Sequence, residues 1–152
     1  MALRFFDSSA LGKRYHSEVG TAKVNALIQE RGFEPVISRL TLIEIQSVFA
    51  GKVRTGAILA SDFEVLRRRF LTEICQRILR VARLSGFHLQ EAERLVRQRG
   101  ISGSLRTLDA LQLAVALDLK KREGLGEFIC ADKRLGVIAV VEGLTVIDPE
   151  QP

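Results

Sequence analysis

The sequence predicts an α/β fold, a three-layer α/β/α sandwich with a central, mostly parallel sheet. Short apolar runs alternate with stretches of helical periodicity, as in strand–helix–strand units. The runs are apolar at successive positions, as expected of parallel strands that are buried on both faces. The chain has 152 residues, of which 47% are hydrophobic and 27% charged, and this is typical of one globular domain. We expect the domain to span residues 1–148, with residues 149–152 as a short C-terminal tail.

The first half of the chain contains two predicted strands, at residues 3–6 and 35–38. Both are followed by helical periodicity. The predicted helices span residues 10–30, 41–53 and 61–75. The apolar residues of the second and third helices are either part of the core or candidate contact surfaces for a partner.

The second half of the chain is more apolar. Residues 77–84 fit a helix or a short strand equally well. Residues 109–121 are apolar around nearly the whole circumference of a helix, which predicts a buried one. The remaining predicted elements are a helix at 88–99, a strand at 127–131, a helix at 133–141 and a strand at 144–147.

The composition limits the cellular location of the protein and the kinds of site that it can contain. Lys and Arg number 23 against 18 Asp and Glu, and the net charge of +5 is compatible with binding to polyanions or with an ordinary basic surface. Cys75 and Cys130 are far apart and form no CxxC motif, so a zinc site or a disulfide framework is not expected. No uncharged stretch approaches the roughly 20 residues that span a bilayer, and no secretory signal is visible. We expect a cytoplasmic protein without a membrane association.

Four carboxylates fall near one edge of the predicted sheet. Asp7 and Asp132 directly follow strands, and Glu44 lies within two helical turns of another. Asp109 lies in the first turn of the buried helix. Ligands of open α/β sheets bind beyond the carboxyl ends of the strands, which places these acids where chemistry is usually found. Structural roles remain open for each, because aspartates cap helices, first-turn acids complement the helix dipole, and helix glutamates are often solvated.

A cluster of carboxylates needs a counter-charge. Two carboxylates about 5 Å apart repel each other by about 3 kcal/mol at an effective dielectric constant near 20, and such repulsion raises their pKa values. A hard divalent cation removes this repulsion, and Mg²⁺ or Mn²⁺ prefers oxygen ligands. Such a site would activate water and stabilise charge at phosphorus, which favours phosphodiester hydrolysis.

Four sequence motifs surround these acids. They are Phe6-Asp7-Ser8-Ser9-Ala10-Leu11-Gly12-Lys13, Ser38-Arg39-Leu40-Thr41-Leu42-Ile43-Glu44, Leu105-Arg106-Thr107-Leu108-Asp109-Ala110-Leu111-Gln112-Leu113-Ala114 and Phe128-Ile129-Cys130-Ala131-Asp132-Lys133-Arg134-Leu135. In this order and spacing, the chain resembles the PIN-domain family over essentially its whole length. It is most similar to the VapC-like toxin ribonucleases of type II toxin–antitoxin pairs.

The resemblance implies a metal-dependent endoribonuclease that hydrolyses RNA. It implies that the metal-binding and catalytic acids, which hold Mg²⁺ or Mn²⁺, are Asp7, Glu44, Asp109 and Asp132. Ser9 would orient Asp7 or a metal-bound water. The family also implies a homodimer and a small VapB-like antitoxin as a partner.

Several expectations around this site remain open. Thr107 would either support Asp109 or cap its helix. The chain departs from many relatives at Gln112, where they carry His, and at Cys130, where they carry Thr or Ser. The candidates for binding the RNA backbone are Lys13, Arg39, Arg106 and Lys133.

Other protein classes were compared with the same motifs. A receiver domain would need a paired acid after Asp7, and a haloacid-dehalogenase-type phosphatase would need Asp where this chain has Ser9. Neither pattern is present. A noncatalytic RNA-binding or scaffold PIN module remains an alternative, as does an RNA-processing PIN nuclease without an antitoxin.

Overall fold

A computed structural model describes residues 1–152 and contains one central sheet of five strands. The strands are β1 (Ala2–Phe6), β2 (Phe33–Ser38), β3 (Arg80–Ala82), β4 (Leu125–Ile129) and β5 (Val146–Ile147). They lie in the order β3-β2-β1-β4-β5, and every neighbouring pair is parallel. β1 is therefore the central strand, and the residue that follows it lies in the middle of the carboxyl edge.

Helices cover both faces of the sheet. They are α1 (Ser8–Leu11), α2 (Thr21–Gln29), α3 (Thr41–Arg54), α4 (Ala60–Cys75), α5 (Gly86–Gly103), α6 (Thr107–Glu123) and α7 (Lys133–Val141), with a 3₁₀ turn at Gly12–Arg14. None combines the length and the apolar character that a membrane span requires.

The two faces of the sheet carry separate hydrophobic clusters, because consecutive residues of a strand point to opposite faces. Phe5 belongs to the cluster that includes residues of α5, α6 and α7. Phe6, the next residue, belongs to the cluster formed with α1 to α4. The predicted three-layer α/β/α sandwich is therefore confirmed, and its sheet is entirely parallel.

The predicted helix over residues 10–30 is wrong, because the chain turns between α1 and α2. Thr21 donates its hydroxyl proton to the carbonyl oxygen of Lys13 and accepts the N–H of Glu18, which fixes the turn. Gly20 has a φ of 92°, and a Cβ there would lie 3.0 Å from the carbonyl oxygen of Pro149. Both the backbone conformation and the space thus require glycine at this position.

The ambiguous segment 77–84 contains the edge strand β3, which pairs with β2 from Val36 to Ser38. β4 begins at Leu125, two residues before the predicted strand, because Gly124 ends α6 in the left-handed conformation with a φ of 69°. Cys75 and Cys130 form no disulfide, as expected.

Two polar contacts attach peripheral segments to this frame. Glu73 of α4 is buried and binds the guanidinium of Arg14, and the hydroxyl of Tyr15 donates to it over 2.7 Å. At the C-terminal tail, Glu150 accepts a 2.6 Å hydrogen bond from the ammonium of Lys13. Residues 149–152 therefore pack against the segment that follows α1.

Candidate active site

Asp7 lies directly after the central strand, and its backbone N–H donates to the carbonyl oxygen of Ile129 over 2.9 Å. One carboxylate oxygen, Oδ2, accepts the backbone N–H of Ser9 at 3.1 Å and the Ser9 hydroxyl at 2.6 Å. Asp7 thus caps α1, as the structural alternative predicted. Its side chain is also buried, with 4% of the residue exposed, although it carries no ion pair.

Ser9 connects the loop after β1 to the loop after β4. While its hydroxyl donates to Asp7, the same oxygen accepts the backbone N–H of Ala131 at 3.1 Å and that of Asp132 at 3.3 Å. The predicted orienting role of Ser9 toward Asp7 has this geometric support. The hydroxyl also fixes the backbone of the fourth predicted acid.

Cys130 takes the position where many relatives carry a hydroxyl. Its Sγ lies 3.9 Å from Asp7 Oδ2 and contacts the carbonyl oxygen of Asp132 at 3.3 Å. Burial, and then the negative charge of Asp7, raise the pKa of the thiol. The thiol therefore remains protonated and acts as a weak donor in the place of a hydroxyl.

Glu44 lies in the first turn of α3, and its Oε1 accepts a 2.6 Å hydrogen bond from Nε2 of Gln112. Burial raises the pKa of Glu44, and the charges of Asp7 and Asp109 raise it further, whereas hydrogen bonds from Gln112 and Ser8 lower it. In the sequence, Gln112 differs from the His of many relatives, but nothing about it predicts a contact with Glu44. The available signal was its spacing, three residues after Asp109 in an otherwise apolar helix face.

Asp109 lies in the first turn of α6, as predicted, and Arg106 is its partner. Nε of Arg106 donates to Oδ2 of Asp109 over 3.2 Å. Burial raises the pKa of Asp109, the hydrogen bond and charge of Arg106 lower it, and the charge of Asp132 raises it. Thr107 is exposed, makes no hydrogen bond to Asp109 and does not cap the helix, whose N-cap position is Arg106.

Asp132 caps α7. Its Oδ1 accepts the backbone N–H groups of Arg134 at 2.9 Å and Leu135 at 3.2 Å. Its Oδ2 lies 3.6 Å from a guanidinium nitrogen of Arg106. Asp132 therefore has a clear structural role, and Arg106 links it to Asp109.

Electrostatic coupling shows which acids the fold brings together. The negative charge of Asp109 raises the pKa of Asp7. The charges of Asp7 and Asp109 together raise the pKa of Glu44. Asp132 couples to this group through Asp109. No three Asp, Glu, His or Cys side chains lie close enough to form a ready cage of protein ligands. The donor set still fits Mg²⁺, which commonly uses one or two carboxylates and retains several waters.

The four basic side chains that are predicted to bind the RNA backbone differ in their exposure to solvent. Arg39, Lys133 and Arg106 are exposed at the carboxyl edge, which carries the acids. Lys13 is 5% exposed and is bound to Glu150, so the expectation that it contacts RNA is wrong. Its burial follows from the tail packing, which the sequence did not indicate.

The profile of the PIN domain family matches residues 4–141, which include all four acids and the elements that carry them. This chain belongs to the PIN domain family. Among curated proteins, no sequence match was found.

Solved structures show the same fold at low sequence identity. FitAcB from Neisseria gonorrhoeae superposes with a TM-score of 0.67 at 14% identity, covering 98% of this chain and 99% of that one. PAE2754 from Pyrobaculum aerophilum superposes with a TM-score of 0.64 at 19% sequence identity, covering 95% of this chain and 83% of that one. VapC20 from Mycobacterium tuberculosis is a toxin that cleaves the sarcin–ricin loop. It superposes with a TM-score of 0.64 at 15% sequence identity, covering 93% of this chain and 96% of that one. This PIN domain therefore has the fold of these proteins.

Proposed function

We propose that this PIN domain is a metal-dependent endoribonuclease that hydrolyses phosphodiester bonds of RNA. The observation that carries the proposal is the placement of Asp7, Glu44 and Asp109, from three separate elements, beyond the carboxyl end of the central strand, where their charges interact. Burial raises the pKa of each of the three, and the charge of a neighbouring acid raises it further, so their ionised forms destabilise the metal-free fold. A site that binds a cation accounts for acids that are kept together against this repulsion.

Mg²⁺ or Mn²⁺ is the proposed cofactor, and the proposed ligands are Asp7, Glu44 and Asp109, with Asp132 completing the site. The bound cation would lower the pKa of a water molecule and neutralise charge that develops at phosphorus. Ser9 holds the carboxylate of Asp7 in place through its 2.6 Å hydrogen bond.

Substrate binding is assigned to cations at the same edge. Arg39 and Lys133 are exposed and form no ion pair with a protein carboxylate, so they are free to bind phosphate groups of RNA. Arg106 is 78% exposed at its side chain, and only Asp109 and Asp132 hold it. Its guanidinium can therefore turn from these acids to a substrate phosphate when a metal ion supplies the counter-charge.

We further propose that the protein acts in the cytoplasm as the toxin of a toxin–antitoxin pair, as a homodimer with a small VapB-like antitoxin. Similar folds support this assignment. They include a toxin–antitoxin complex from Klebsiella pneumoniae and VapBC2 from Rickettsia felis bound to a promoter DNA fragment. Co-expression with any small protein that is encoded next to it, followed by light scattering of the purified material, tests both the antitoxin and the homodimer.

The test of the nuclease is cleavage of a mixed RNA pool by purified protein that is free of any partner. Cleavage should require Mg²⁺ or Mn²⁺, stop in EDTA and vanish in Asp7→Asn. The matched control is Asp62→Asn, which replaces a partly exposed helix-capping aspartate of α4 and should cleave as the wild type does. Cleavage by Asp7→Asn at the wild-type rate would contradict the assignment.

A noncatalytic RNA-binding or scaffold module is the second candidate function. The pairing of Arg106 with both Asp109 and Asp132 favours it, because this pairing neutralises part of the acidic cluster without a metal. This candidate predicts RNA binding that EDTA and Asp7→Asn leave unchanged. A processing nuclease without an antitoxin would share the site and differ only in the co-expression result.

A further inference from the structure

Gln112 is the most extensively bonded buried polar side chain beside the acids. The residue is 0% exposed, and its Nε2 lies 2.6 Å from Oε1 of Glu44, 3.1 Å from Oγ1 of Thr41 and 3.2 Å from Oγ of Ser8. An amide nitrogen carries two protons. The shortest contact, to the Glu44 carboxylate, takes one proton, and the two hydroxyl oxygens share the other.

The other end of the same amide shows what fixes its orientation. Oε1 of Gln112 is buried and has no hydrogen-bond partner. Turning the amide over would offer this oxygen two hydroxyl donors, from Ser8 and Thr41. It would also place a carbonyl oxygen against the carboxylate of Glu44, where both groups only accept. The fold therefore leaves one buried carbonyl oxygen unpaired and keeps the N–H groups directed at Glu44.

Gln112 also lies where the elements that carry the acids meet. It follows Asp109 by three residues on α6, so the two side chains lie on one face of the helix. Ser8 directly follows Asp7, and Thr41 begins the helix that carries Glu44. One amide thus connects α6, α1 and α3 at the level of the acids.

We propose that Gln112 is a positioning residue that holds the carboxylate of Glu44 beside those of Asp7 and Asp109 for cation binding. The inference rests on the proposed function. Glu44 is only partly buried and is repelled by two acids, so without the amide donor its side chain is free to turn towards solvent. An apolar residue of similar size would fill the same space in α6 without an unpaired oxygen, but it would not hold Glu44.

The experiment measures Mn²⁺ binding to the RNA-free protein by electron paramagnetic resonance, and thermal unfolding in EDTA. Three variants are compared with the wild type. Gln112→Met keeps the volume without a donor, Gln112→Asn keeps an amide that is one methylene shorter, and Gln112→His offers a ring N–H. The matched control is Gln46→Met, because the Gln46 amide donates to the carbonyl oxygen of Leu42 on the same helix as Glu44, at 2.8 Å.

We expect Gln112→Met and Gln112→Asn to weaken Mn²⁺ binding by about tenfold or more, as loss of a residue that orients a metal ligand usually does. Gln112→His should lose less, and Gln46→Met should bind as the wild type does. In EDTA, the unfolding temperature of each variant shows how far loss of the amide destabilises the fold without a metal. A lowered unfolding temperature with unchanged Mn²⁺ affinity would mean that Gln112 is merely structural, and would overturn the proposal.

If a variant does not fold, a measurement on the wild type tests the positioning role of Gln112. The side-chain amide resonances of Gln112 should shift as Mg²⁺ is added, with the same concentration dependence as the activation of cleavage. Resonances that stay fixed while cleavage saturates would contradict the inference. Wild-type protein that neither binds Mn²⁺ nor cleaves RNA would overturn the proposed function as well. Wild-type binding and cleavage that Gln112→Met reproduces would overturn this inference alone.

Discussion

The hydroxyl of Ser9 donates a 2.6 Å hydrogen bond to Oδ2 of Asp7. The same oxygen accepts the backbone N–H groups of Ala131 and Asp132, so a single hydroxyl connects the ends of the central strand β1 and its neighbour β4. Two proposed metal ligands are therefore positioned through one small side chain.

Replacing Ser9 should reduce both cleavage and stability. In Ser9→Ala, Asp7 loses its orienting donor, and we expect the cleavage rate at saturating Mg²⁺ to fall about 10- to 100-fold. Two backbone N–H groups lose their acceptor, so the free energy of unfolding should fall by about 1–2 kcal/mol. Steady-state cleavage and urea unfolding measure the two effects. Ser47→Ala, at an exposed position of α3, is the control, and a wild-type cleavage rate in Ser9→Ala would refute the orienting role.

Neutralising Asp7 should stabilise the metal-free protein. Folding raises the pKa of Asp7 above its ordinary value of 3.8, chiefly through burial, so the folded state favours the protonated form. The resulting stability is fully present below that ordinary value and is lost as the pH rises through the raised one. In EDTA at pH 8, Asp7→Asn should therefore have a higher melting temperature than the wild type. Asn remains a good N-cap, so α1 is preserved.

The pH dependence of this difference provides the control. As the pH falls through the raised pKa of Asp7, the wild type gains stability and the two melting temperatures should converge. Added Mn²⁺ should stabilise the wild type and leave Asp7→Asn unchanged, because a ligand stabilises only the form that binds it. A variant that melts below the wild type at pH 8 in EDTA would contradict the electrostatic account.

Removing the guanidinium of Arg106 should tighten metal binding. Arg106 competes with a cation for Asp109 and Asp132, and exposed ion pairs are worth up to about 1 kcal/mol, or a factor of about five in affinity. Calorimetry on Arg106→Gln should show Mn²⁺ binding strengthened by no more than that factor, while KM for RNA rises. Arg97→Gln removes an exposed pair with Glu93 and is the control. Weaker Mn²⁺ binding in Arg106→Gln would show that the guanidinium supports the site.

Removing Glu73 should destabilise the fold far from the acids. Its carboxylate is buried among Arg14, Arg69 and Tyr15, so Glu73→Ala leaves a largely buried guanidinium without its main partner. We expect a loss of about 3–5 kcal/mol in the free energy of unfolding, measured in urea. Glu93→Ala, at an exposed pair, should change it by less than about 0.5 kcal/mol. A similar small change in both variants would show that the buried network contributes little.

The fold was predictable because its signals are local. Continuous apolar runs located the strands that flank the site, and the all-round apolar character of α6 predicted its burial. The helix predicted over residues 10–30 failed, because the hydroxyl contacts of Thr21 with Lys13 and Glu18 and the left-handed backbone of Gly20 form a turn that helical periodicity does not reveal. β3 was ambiguous because an edge strand of three residues has no distinctive periodicity.

The same distinction applies to the candidate site. The positions of Asp7, Glu44 and Asp109 were predictable because strand ends and helix starts are visible in the sequence. The hydrogen bond between Gln112 and Glu44 joins residues 68 positions apart, and no local pattern encodes such a contact. The burial of Lys13 was missed for a similar reason, since its partner Glu150 lies 137 positions away.

The central position of β1 also sets the order in which the site can form during translation. Asp7 is synthesised long before β4, yet its N–H donates to Ile129, and Ser9 needs the backbone of Ala131 and Asp132. Until β4 has emerged, β1 has a neighbour on one side only, and Asp7 has no fixed surroundings. A growing chain is therefore unable to assemble the acids until more than four-fifths of these residues have been synthesised. The proposed nuclease would thus be inactive for most of its own synthesis.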